Sequence, residues 1–141
     1  MVDDLFNLKG RVSIELNGQI VQEIDNLVVT AGKVFVASRM KDATATAMSH
    51  MAVGTNTGSA AIGNTALGSE SARVALTSTT ASTNTVIYVA TFPAGTGTAA
   101  LTEAGILNAS SGGTMLCRTV FTAINKGSAD AMTVTWTITV S

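Results

Sequence analysis

The sequence predicts a mainly β protein: an antiparallel two-sheet sandwich, jelly-roll-like or another Greek key, with one short helix. Three observations carry this. In "DAMTVTWTITV", Val134, Trp136, Ile138 and Val140 alternate with Thr133, Thr135, Thr137 and Thr139, the period-2 pattern of a strand with one apolar face. In "RVSIELNGQIVQEI", two alternating runs flank Asn17-Gly18, the residue pair that best supplies the two positive-φ positions of a tight hairpin turn. And the chain holds 13 Gly against one Pro and is rich in Thr, whose branched Cβ suits a pleated surface. A length of 141 residues suits a single domain over 1–141 with one core.

The elements follow in order. Met1–Gly10 reads as either an extended arm reaching a neighbour or a frayed terminus. Val12, Ile14 and Leu16 form the apolar face of the first hairpin strand, and the return strand runs from about Gln19 to Ile24. "VVTAGKVFVASRMKD" changes period. Val34, Val36, Ala37 and Met40 sit at helical spacing, Thr30 can cap the start, and Arg39 and Lys41 suit the end of a helix dipole, so a helix is expected from about Ala31 to Lys41, with a strand at "KVFVAS" as the competing reading. A short strand at Met51–Gly54 precedes a Gly/Ser/Asn/Thr loop from Thr55 to about Ser69. Loops of that length in a small domain tend to have a job. A strand is expected at Arg73–Ser78. In "TNTVIYVATFPAG", Val86, Tyr88, Ala90 and Phe92 lie on one face and Ile87, Val89 and Thr91 on the other; both faces are rather apolar, as in a central strand of a sandwich, and Pro93 ends the strand. "GGTMLCRTVFTAI" follows a Gly112-Gly113 turn. Val134, Trp136, Ile138 and Tyr88 are the expected centre of the core, and seven or eight strands the expected total.

The charge balance narrows the function. Charged residues make up 12%, against an ordinary share of roughly 25%, and the formal net charge is −1. A surface this short of charge dissolves poorly if all of it meets water, so much of it is expected to meet protein, the alternative being a Thr-rich solvated sheet. Nucleic-acid binding is not expected, for want of clustered Lys and Arg. No apolar run reaches the ~20 residues of a membrane-spanning helix, and "MVDDLFNLKG" does not read as a signal peptide. One cysteine, Cys117, permits no internal disulfide, and one histidine, His50, argues against a His-based metal site.

Candidate chemistry is sparse, and no enzyme activity or cofactor is expected. Glu70 and Glu103 would pair as the two carboxylates of a glycosidase only if they shared a cleft with aromatic platforms, and the aromatics fall on strand faces that read as core. The bland alternative is that Glu103 accepts backbone hydrogen bonds in a turn, or pairs with Arg73 or Arg118. Cys117 and His50 would make a nucleophile and base only with an orienting third group, and Cys117 reads better as a small buried thiol. The aspartates lack calcium-loop spacing, and "GTNTGSAAIGNTALG" lacks the Lys-Ser/Thr ending of a phosphate loop. The Met residues around "MKDATATAMSHM" fit either an adaptable contact surface or core filling. Glu70 and Arg73, three apart, would share a face on one helical turn.

Four segments, "MAVGTNTGSAAIGNTALGSESARVAL", "LTEAGILN", "GGTMLCRTVF" and "MTVTWTITV", resemble in order a pattern of small structural proteins of tailed bacteriophage virions. That pattern has an A-V-G-T-G opening, then D-T-A-L and an E-x-x-R pair. The resemblance covers Met51 to Val140 and departs at Asn64, where the pattern has Asp. It implies a non-enzymatic virion component. The expected role is a capsid decoration or cement protein on the capsid exterior, made in the host bacterial cytoplasm. Its partners would be the major capsid protein and its own copies, as dimer or trimer. A tail, neck or fibre protein is the alternative, and a carbohydrate-binding β-sandwich a more distant one. Within this reading Glu70 and Glu103 are expected to fix the long loops, paired with Arg73 or Arg118.

Overall fold

The structure, a computed structural model, describes residues 7–141. Ten strands and one helix follow in the order β1 (Leu8–Leu16), β2 (Gln19–Asp25), β3 (Leu27–Val28), α1 (Thr30–Lys41), β4 (His50–Gly54), β5 (Glu70–Ala75), β6 (Ser78–Ser82), β7 (Thr85–Phe92), β8 (Ala99–Leu107), β9 (Met115–Lys126) and β10 (Met132–Val140). They form two five-stranded antiparallel sheets, β2-β1-β10-β7-β6 and β3-β9-β8-β4-β5, called here the first and second sheet. The chain lays down hairpins alternately in the two sheets. β7 and β10 are neighbours although the β8–β9 hairpin of the other sheet lies between them in sequence, a Greek-key crossover.

Local chemistry explains the first hairpin. Asn17 and Gly18 both take positive φ (52° and 83°), which matches the twist of the flanking strands. Val12 and Ile14 are fully buried, and Leu16 packs on the edge of the same cluster. The core between the sheets gathers these with Val134, Trp136 and Ile138 of β10, Tyr88, Ala90 and Phe92 of β7, and Met51, Val53, Ile106, Cys117 and Phe121 of the second sheet. Trp136 is fully buried and its indole N–H has no hydrogen-bond partner. Tyr88 lies opposite it across the β7–β10 ladder, and burial, with a smaller push from Cys117, raises its phenol to about 12.

Several expectations change. Leu8–Gly10 are not an arm: they are the first rungs of β1 against β10, and Asn7 and Ser141 exchange backbone hydrogen bonds of 2.8 and 2.9 Å. The remaining part of the expected arm, residues 1–6, lies outside the described residues. Thr30 is the first helical residue rather than the cap. β3 runs almost directly into α1, and the Thr30 N–H is taken by the carbonyl of Ile62, so Val29 holds the cap position without a side-chain bond. Of the four apolar positions at helical spacing, Val36 packs against the core beside Phe35, while Val34, Ala37 and Met40 are exposed. The strand expected at 73–78 is two: at Leu76-Thr77 the chain leaves the second sheet and enters the first. β3, β6 and β8 come in addition to the strands read from the sequence. Of the Met-rich segment, Met48 and Met51 are core and Met40 is surface.

Candidate functional site

The centre of interest is a buried ion pair on the outer face of the second sheet, the face turned away from the core. Register puts Glu103 of β8 beside Gly54 of β4, and Arg118 of β9 beside Gly105 of β8. The two charges are therefore diagonal neighbours on one face. Glu103 is fully buried and Arg118 is 3% exposed. Arg118 donates to Glu103 Oε1 through Nε (3.1 Å) and Nη2 (3.0 Å). The same carboxylate accepts three backbone N–H groups: Gly68 on Oε1 (2.8 Å), and Ser69 (2.8 Å) and Asn56 (3.0 Å) on Oε2. Burial alone would raise the Glu103 pKa. The three N–H groups and the Arg118 guanidinium outweigh it, and the carboxyl is held below its ordinary range.

Those three donors belong to the two ends of the 55–69 loop, so one carboxylate clamps both ends. Arg118 holds the middle. Nη1 donates to Ser59 O (3.3 Å) and Asn64 Oδ1 (3.1 Å), and Nη2 to Gly58 O (3.1 Å). Thr102 beside Glu103 adds a bond from Oγ1 to Asn56 O (2.8 Å). Within the loop, Asn56 Oδ1 accepts Gly58 N–H and Asn64 Oδ1 accepts Ala61 N–H, side-chain turns that keep the loop compact. Asn64, where an Asp would fit the virion pattern, does its work through Oδ1, the oxygen that Asn and Asp share.

The loop also carries an apolar plug. Leu67 packs with Ala52, Leu107, Met115 and Val29 in a second apolar cluster on this outer face. The sheet is thinned to receive it. A Cβ on Gly54 would strike the carbonyl of Ser69, and one on Gly105 would come within 3.0 Å of Leu67 Cδ2. At Gly54 glycine is needed because the loop backbone lies where a methyl would be; at Gly105 the fit is tight, and a methyl would press on Leu67 and Met115. The middle of the second sheet is thus covered on both faces, which accounts for the unbroken burial of β8 from Leu101 to Leu107.

Glu70 and Arg73 make the companion pair. In a strand, residues three apart point to opposite faces, yet Arg73 binds Glu70 through two bonds, Nη2 to Oε1 (2.7 Å) and Nε to Oε2 (3.0 Å). The reason is a bulge: Val53 pairs with Ala72 and Gly54 with Glu70, so Ser71 is an extra residue that reverses the alternation. Arg73 Nη1 then reaches the carbonyls of Ala109 (2.9 Å) and Gly112 (3.0 Å), tying the β8–β9 turn to β5. Both candidate arginines therefore hold loops, each with its own glutamate. The sequence leaves four pairings open and marks Asn64 only as a departure from the virion pattern; it does not point to Asn56, Thr102 or Leu67, and the one local signal is Asn two residues before Gly at 56–58.

The arrangement is suited to holding backbone. Each Glu103 oxygen already has at least two donors, and Glu70 is engaged by Arg73, so neither carboxylate is presented as an acid or nucleophile. Cys117 and His50 do not meet: register places Cys117 opposite Ile106 on the core face and His50 opposite Leu107 on the outer face. Burial pushes the Cys117 thiol far up, and His50 Nδ1 bonds Ser49 Oγ at 2.8 Å. Among the described residues no three of His, Cys, Asp and Glu gather as metal ligands, and no helix is long and apolar enough to cross a membrane. Tyr88, Phe92, Phe121 and Trp136 are buried, so none of them offers a platform for a sugar ring. No protein-family model, curated protein or solved structure matches the chain.

Proposed function

We propose that the protein is a structural component of a bacteriophage virion, a capsid decoration or cement protein. It binds the outside of the assembled shell and bridges neighbouring capsid subunits. The observation that carries this reading is the clamped loop. A flexible loop loses conformational entropy when it docks; this one is already ordered by the Glu103–Arg118 centre, so it meets a partner at less cost. It is also uncharged: no Asp, Glu, Lys or Arg occurs from Ala43 to Ser69. It presents Ile62 at 61% exposure, and Val34 on the adjoining helix is 64% exposed. An ordered, uncharged face with apolar points matches the composition of a protein–protein contact better than that of a solvated surface. The ordered sequence resemblance between Met51 and Val140 points the same way.

The mechanism is burial of area. Specific contacts bury about 1,600 Å² in total, and repetition over a shell multiplies weak contacts through avidity. The partners are the major capsid protein of the same particle and further copies of this chain. The test is copy number per particle, by quantitative mass spectrometry of purified virions against the major capsid protein. A ratio near one, or a simple fraction of it, is expected. A ratio of a few per cent would move the protein to the tail, neck or fibres. Absence from the particle would overturn the virion reading, and the carbohydrate-binding alternative would then have to find its aromatic platform among residues other than those buried here.

A further inference from the structure

Among the described residues four strands sit at sheet edges, β2 and β6 in the first sheet and β3 and β5 in the second. Exposed edges invite pairing with other chains, and proteins usually blunt them with charge, proline, bulges or a covering segment. β2 carries Glu23 and Asp25, and its register with β1 is broken between Ile14 and Glu15. β5 carries the Glu70–Arg73 pair and a bulge, and Arg73 ties the 109–112 turn to it. β3 has two residues and continues into α1.

β6 has none of these devices. Its sequence, Ser78-Thr79-Thr80-Ala81-Ser82, holds no charge and no proline, and its register with β7 is unbroken. All five residues are exposed. That includes Thr79 and Ala81, which the register places on the core side beside Tyr88 and Val86, so this edge overhangs the second sheet. The connection to β7 is the two-residue turn Thr83-Asn84, which makes Ser82–Thr85 the closing hydrogen-bonded pair. By alternation, Thr79 and Ala81 then aim their N–H and C=O groups away from β7.

We propose that β6 is a self-association edge, which pairs antiparallel with β6 of a second copy about a two-fold axis at Thr80. The register is then Thr80 against Thr80, Thr79 against Ala81, and Ser78 against Ser82. Every rung is small and uncharged, so no like charges meet across the axis, and about four interchain hydrogen bonds satisfy the outward groups of Thr79 and Ala81. The strand carries no charged side chain that would select a foreign sequence. What it offers is backbone and shape, which its own copy matches rung for rung. Two first sheets become one ten-stranded sheet. This deepens the assembly reading above and rests on it for its biological use, since a five-residue edge gives a weak pair that matters when copies are crowded on a shell.

Sedimentation velocity of the full chain, from about 10 µM to about 1 mM, tests it, because that range populates weak pairs. The wild type is expected to dimerise reversibly. Thr80→Lys and Thr80→Glu each set like charges directly opposite one another and are expected to weaken the dimer roughly fivefold. An equimolar mixture of the two variants is expected to restore it as a heterodimer. Circular dichroism checks that both variants fold, as the exposure of Thr80 favours. A wild type that stays monomeric throughout, variants that associate like wild type, or a mixture that does not recover would each overturn the proposal. The outcomes separate from those of the particle experiment: a dimer in solution with no copies on particles sinks the virion role and keeps the edge, and a monomer with shell-wide copy number does the reverse.

Discussion

Two arginine–carboxylate pairs lie on the outer faces of the two sheets. Arg11 and Asp25 are direct cross-strand neighbours on the first sheet, 3.1 Å apart, with side chains 57% and 83% exposed. Arg118 and Glu103 are diagonal neighbours on the second sheet, 3.0 Å apart, with side chains 3% and 0% exposed. The distances are nearly the same and the consequences are not. The exposed pair sits in water, where Coulomb attraction is weak and each charge has a good alternative partner. The buried pair has been taken out of water, and its worth lies in the backbone groups it organises. A buried ion pair need not be more stable than an apolar substitute, but half of one is very costly. The difference teaches that the function of such a pair is set by what covers it.

The sharpest way to break the contrast is Glu103→Gln. It leaves Arg118 buried and unpaired and replaces an acceptor with an amide N–H among N–H donors. The expected loss is about 3–5 kcal/mol in urea denaturation, with new proteolytic cleavage inside 55–69. Adding Arg118→Met should recover part of that stability while leaving the loop loose, which would separate charge burial from loop anchoring. A Gly54→Ala substitution comes next. Its methyl must displace Ser69 or the Glu103 carboxylate, and a cost of about 1–3 kcal/mol is expected. Arg11→Ala on the open face is expected to cost less than about 0.5 kcal/mol, and the effect should fade in high salt.

The same contrast shows in acid. The folded-state pKa of Glu103 is below its ordinary value of 4.5, so its contribution is complete above that pH and is lost as pH falls through the lower folded value. Stability measured by denaturant midpoint should therefore drop below about pH 4.5, and the drop should be shallower in Glu103→Gln. An equal drop in the variant would assign the acid sensitivity elsewhere.

Legibility in the sequence follows the same division. The open sheet was readable because one face meets water and alternation survives: Val134, Trp136, Ile138 and Tyr88 fall on the buried side as their period requires. Asn17-Gly18 was readable because turn chemistry is local. β8 was not, because "LTEAGIL" is buried on both faces and small residues there answer to a loop some thirty-five positions earlier, as the Gly68–Glu103 bond shows. β6 was not, because it has no apolar face at all. Glu70 and Arg73 looked like a helical turn because a bulge gives a strand the same i,i+3 adjacency. The four site residues were visible as rare charges. Which glutamate meets which arginine depends on register, which no local pattern encodes.

Trp136 gives the molecule its own optical gauge. It is the one tryptophan in the chain, and it lies at the centre of the core with its ring out of reach of water. Its emission in the native state should be blue-shifted and should move to longer wavelength only when the two sheets part. Loosening of the 55–69 loop, on the far side of the second sheet, should leave that emission unchanged. Intrinsic fluorescence and loop proteolysis therefore report two separate events in one sample, and the order in which they appear on heating would show whether the cover comes off before the sandwich opens.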